Sequence, residues 1–92
     1  MVGALGYTMA AVEARHIWQE LQVLLSLNLP DSAWYLWQAT ATCWYLDRDR
    51  LIIAAPTEQS ARQLAQTFLP VVRHTLKAIV DAPQRVSVVA VA

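Results

Sequence analysis

The sequence is poor in cysteine, in glycine and in charge. Cys43 stands alone, so no internal disulfide can form. With His16 and His74 far apart along the chain, no zinc-ligand spacing exists either. The expected role of Cys43 is that of a small apolar residue in a strand. The two glycines, Gly3 and Gly6, both lie at the start, which excludes a glycine-rich phosphate loop. Charged residues make up 15% of the chain, with seven basic and seven acidic residues and a formal net charge of +0. Such a balance offers no general attraction to polyanions, whose binding by counterion release needs clustered Lys and Arg. No apolar run approaches the ~20 residues that a bilayer demands. Residues 1–7 carry no Lys or Arg ahead of their apolar residues and do not read as a signal peptide. The expected compartment is the reduced cytoplasm.

Hydrophobic residues are abundant, at 57% of 92, enough for one domain with a modest core. The organising stretch is Leu29-Pro30-Asp31-Ser32-Ala33-Trp34-Tyr35-Leu36-Trp37. Trp34 and Trp37 are three residues apart and share a helix face. Pro30 suits a first helical turn, and Asp31 suits the positive end of the helix dipole. Before it, residues 1–8 read as a flexible leader and Thr8 as the cap of a first helix reaching about Leu27. Its inward stripe is Ala14, Ile17, Trp18, Leu21, Leu24 and Leu25. Val23 and Leu27 fall nearly opposite that stripe, where the leader or a partner would cover them.

After the tryptophan helix, Thr40 to Leu46 reads as a strand, Asp47-Arg48-Asp49 as a tight turn and Arg50 to Ala55 as the returning strand. Leu51, Ile53 and Ala55 would share one face. Thr57 caps a helix over 58–68 whose apolar side is Ala61, Leu64, Ala65 and Phe68. Pro70 interrupts it, and a second helical piece runs over 71–80. Residues 81–84 turn, and 85–91 form a valine-rich last strand. The expected fold is α+β, a two-layer domain over residues 9–92 in the order α-α-β-β-α(kinked at Pro70)-β. Helices would cover one face of a three-stranded sheet, with a parallel crossover before the last strand.

Nothing in this order assembles a catalytic site. His16 and His74 fall on polar helix faces without an orienting third group, and Asp47 and Asp49 are favoured in a turn for local backbone hydrogen bonds. The expectation is a chain that is no enzyme and uses no cofactor, metal or small-molecule substrate. Four tryptophans exceed what a small core needs, and Trp18 and Trp44 are the two placed for partial exposure. Tryptophan is over-represented at interfaces.

Ile17-Trp18-Gln19, Leu29-Pro30, Trp34-x-x-Trp37, Leu51-x-Ile53-x-Ala55-Pro56, Phe68-Leu69-Pro70 and the closing valine strand form an ordered set. In that order and at nearly that spacing the chain, from Arg15 to Val91, resembles the N-terminal domain (domain I) of the bacterial replication initiator DnaA. The resemblance implies a KH-like domain without ATPase activity, which recruits the replicative helicase, binds initiation regulators and self-associates weakly. Some members touch single-stranded DNA. The family's self-association aromatic matches Trp18. Its helicase-contacting acidic residue and aromatic fall at Ala33 and Gln59 and are not carried over, although Asp31 and Glu58 offer charge nearby. A helicase-loader domain of the DciA type is a neighbouring reading, and the Trp34-x-x-Trp37 helix favours DnaA. The chain stops as the domain ends, as an excised domain or a free-standing relative would.

Two functions follow as expectations. The first is a protein–protein docking module of replication initiation, with Trp18, Val23, Leu27, Asp31 and Glu58 as the contact residues. Its partner would be a replicative helicase, an initiator or regulator, or a second copy. The alternative is a KH-like single-stranded nucleic-acid binder, with Trp44 or Tyr45 stacking bases and Arg48 and Arg50 meeting phosphates. The Gly-x-x-Gly clamp of ordinary KH domains is absent.

Overall fold

The computed structural model describes residues 2–91, with side-chain surroundings from Val12 onward. Helix α1 spans Val2–Asn28 and α2 spans Asp31–Thr40. Strands β1 (Thr42–Leu46) and β2 (Arg50–Ala55) follow. Next come α3 (Glu58–Gln63), a π-helical turn (Leu64–Phe68), α4 (Leu69–Leu76) and β3 (Arg85–Ala90). The α+β order is the one the sequence predicts.

Helix α1 begins earlier than the leader assigned to 1–8 and the cap assigned to Thr8 would allow, because its backbone is helical from Val2. Ala, Leu and Met are strong helix formers and carry the helix through Gly3 and Gly6, each of which costs only about 1 kcal/mol against Ala. Leu21 and Leu25 are fully buried, and Ile17, Trp18 and Leu24 pack at the margin of the core. The chain leaves α1 at Pro30, which has no N–H to extend the ladder. Rather than entering the first turn, Pro30 takes the extended N-cap position, with φ −59 and ψ 155, and Asp31 opens α2.

Trp37 is the largest fully buried side chain. Its ring lies 6.1 Å from that of Trp18 and 5.6 Å from that of Phe68, both tilted, within the range where aromatic pairs attract. Its indole N–H donates to Gln22 Oε1 at 2.8 Å, while the Nε2 of Gln22 is buried without an acceptor.

Strand β2 is central: β1 pairs with it antiparallel and β3 parallel. Leu51, Ile53 and Ala55 are buried beneath the helices. Thr57 caps α3 as expected, accepting from the Ser60 N–H at 3.0 Å. Pro70 does not break the helix. The turn before it widens, and the Leu69 N–H reaches back five residues to the Leu64 carbonyl. The wider turn relieves the clash and the missing donor that proline imposes. Phe68, Val72 and Leu76 thereby stay in one buried row. Helix α4 ends at Leu76, four residues before the expected end at Val80. Tighter three-residue bonds, Ala78 N–H to Thr75 and Ile79 N–H to Leu76, close it, and Asp81 turns the chain with φ 64.

Replacing Trp37 by Phe removes the donor from Gln22 and leaves part of the indole volume empty. Urea unfolding should show W37F less stable by about 2 kcal/mol. Adding Gln22→Leu should recover about half of that loss, since removing both partners spares the buried orphan.

Candidate functional surfaces

With every helix on one side, the other side of the sheet is open, and the hairpin decides what it presents. Cys43 pairs with Ile53 and Tyr45 pairs with Ile52, which leaves Trp44 as an extra residue in a β-bulge. Strict alternation would send Tyr45 to the helices. The bulge instead places Cys43 and Leu46 against the core and turns Trp44 and Tyr45 both outward, at 60% and 43% exposure. Bulges re-aim side chains in this way. Burial raises the thiol pKa of Cys43 above its ordinary value.

The turn holds this arrangement in place. Asp47 Oδ1 accepts the N–H groups of Asp49 (2.7 Å) and Arg50 (2.9 Å), and its Oδ2 accepts the Tyr45 hydroxyl at 2.6 Å. The Arg50 guanidinium lies over the Tyr45 ring, 5.3 Å from its centroid. In the parallel register Arg50 stands beside Arg85, so two like charges meet at one end of the open face. Arg48, expected to share in this site, is instead turned to Glu13 at 3.4 Å. That pair is exposed and adds little stability.

The helix residues divide differently from the expectation. Val23 and Leu27 are outward on α1, at 57% and 75% exposure. Trp18 is on the opposite side, against Trp37, so the three do not form one surface. Asp31 and Glu58 are exposed in the first turns of α2 and α3, where the helix dipole favours a carboxylate. Val12 and Val80, neither of which the sequence pattern singled out, are exposed as well. Val80 escapes periodicity because it follows the end of α4. Arg85, exposed at the start of β3, carries no local signal of its pairing with Arg50. The bulge did leave a trace, since four successive apolar residues, Cys43 to Leu46, cannot all alternate onto one buried face.

His16 and His74 are exposed on α1 and α4. Among the described residues, no three His, Cys, Asp or Glu side chains group to hold a metal. No described helix is long and apolar enough to cross a membrane. No family model matches the chain, and neither the curated proteins nor the solved structures contain a match.

The hydrogen bond from Tyr45 raises the pKa of its own phenol and, with the two backbone donors, lowers that of Asp47. A carboxyl so lowered contributes to the hairpin above the ordinary carboxylate range and loses that contribution as pH falls through its depressed value. Following phenolate absorbance against pH, Asp47→Asn should move the Tyr45 titration to lower pH. An unchanged titration would mean that the bond does not persist in solution.

Proposed function

We propose that the chain is a non-catalytic protein-docking module of DNA replication initiation, acting in the cytoplasm. Its partner is a replicative helicase, an initiator or a regulator of either, held on the outer face of α1. The observation that carries this is the exposure of Val23 and Leu27 on a helix whose opposite side is already packed. They are four residues apart and so adjoin on the helix surface. The ordered resemblance to DnaA domain I and the matching α-α-β-β-α-β order support the biological setting. Asp31 and Glu58 would add charged contacts at the rim. Trp18 serves the core, so weak self-association would use the outer α1 face.

Exposed apolar residues can be changed without unfolding the domain. A nuclease-treated pull-down from the source cell's lysate should recover the helicase or a full-length initiator with the native chain. The Val23→Ser/Leu27→Ser variant, folded to the same melting temperature, should lose it. Recovery of neither protein by the native chain would overturn the assignment.

The bulge favours a second reading, single-stranded nucleic acid on the open face of the sheet. Trp44 and Tyr45 would stack bases while Arg50 and its neighbour Arg85 met phosphate; Arg48, engaged with Glu13, would stand aside. A short oligothymidylate at low salt should then quench tryptophan emission. Trp44→Ala should weaken binding roughly tenfold, the worth of one stacked base. Absence of binding at low salt would remove this reading.

A further inference from the structure

Where α1 passes the end of α4, a groove of about 240 Å³ opens at the surface. Its apolar parts are Val12, Ile17 and Val80, and its charged parts are Glu13, Glu20 and Asp81, with His16 between them. Ile17 continues into the core, whereas Val80 is 82% exposed and Val12 47%. A valine so exposed keeps little of the burial that folding could give it, and here it shares one acidic depression with a second, half-exposed valine. Asp81 sits in the left-handed region, which Asp and Asn tolerate better than other side-chain-bearing residues. Val80 lies between the end of α4 at Leu76 and that turn.

The charges select the occupant. Glu13 is engaged by Arg48, which leaves Glu20 and Asp81 without an ion pair among the described residues. Two free carboxylates repel the phosphates of nucleic acids and of anionic lipids. In a second copy, Arg73, His74 and Lys77 on the outer side of α4 have no apolar stripe between them. The sheet face sets Trp44 and Tyr45 on a short strand with Arg50 already over the Tyr45 ring, so neither offers an amphipathic helix. The complement of an apolar floor with an acidic rim is an apolar stripe edged by cations.

Building on the docking function above, we propose that this groove receives a basic amphipathic helix from the protein partner. Its apolar side chains would enter between Val12 and Val80, and its Lys or Arg residues would reach Glu20 and Asp81. The bound helix would extend the α1 surface that carries Val23 and Leu27, placing the partner along α1 and away from the open sheet.

The test uses the whole chain and fluorescein-labelled peptides followed by anisotropy at physiological salt. The probes are a leucine/lysine amphipathic helix, its leucine/glutamate counterpart with the same apolar face, and a leucine/lysine peptide of scrambled order. Only the first should bind. Glu20→Gln with Asp81→Asn should weaken it about fivefold, as expected for two exposed ion pairs, and Asn retains the left-handed turn. Val80→Ser should weaken it further, and being exposed it leaves the fold intact. Equal binding of the glutamate or scrambled peptide, or binding by the charge variant equal to that of the native chain, would overturn the proposal. Helicase captured through Val23 and Leu27 without peptide binding would leave the docking function standing and remove the groove. Peptide binding without helicase or initiator capture would do the reverse.

Discussion

The indole of Trp37 is the contact on which the domain depends. It touches Trp18 of α1 and Phe68 of the π-helical turn and bonds to Gln22 of α1, so one side chain ties α2 to α1 and to the π-helical turn. An aromatic of this size, the largest fully buried side chain, contributes more apolar burial than any other single member of the core. The polar side is less favourable, since Gln22 satisfies the indole N–H through its oxygen and leaves its own nitrogen unpaired. An unpaired buried amide costs about 1–3 kcal/mol. The bond is therefore better understood as fixing the orientation of Trp37 than as a net source of stability.

A single layer of helices can cover only one side of a three-stranded sheet. What distinguishes this domain is how the remaining surface is divided. The open face of the sheet bears aromatics and arginines, while the outer side of α1 and the end of α4 bear valines, leucine and carboxylates. Opposite electrostatic characters on opposite layers favour different partners, and neither surface needs side chains from the core to rearrange.

The sequence was most readable where one side chain has one physical role. Leu51, Ile53 and Ala55 alternate into the core because β2 is covered on one face, and Thr57 caps because its hydroxyl meets a free N–H. Boundaries were less readable. Helical propensity ran through both glycines at the start, and a left-handed Asp81 with tight three-residue bonds ended α4 early. Pro70 was visible as an interruption, but the widened turn that absorbs it depends on Phe68 and Val72 both needing burial. The candidate surfaces were half legible. Val23 and Leu27 stood out as misplaced apolar residues. Trp18 looked like an interface residue until Trp37 was set beside it. The groove joins residues from distant parts of the chain and could not be read from local spacing.

The parallel pairing of β2 with β3 constrains the order in which the protein assembles. Strands β1 and β2 are joined by a short turn and can pair as soon as both exist, whereas the partner of Ile53 is Val88, beyond α3 and α4. Pairing at such separation is slow to form because the intervening chain must close first. During synthesis the hairpin therefore waits with one edge of its central strand unpaired, an open template for other strands. The helices can settle on Leu51 and Ile53 before then and cover the face of that strand, while its edge stays open until residues 85–90 pair.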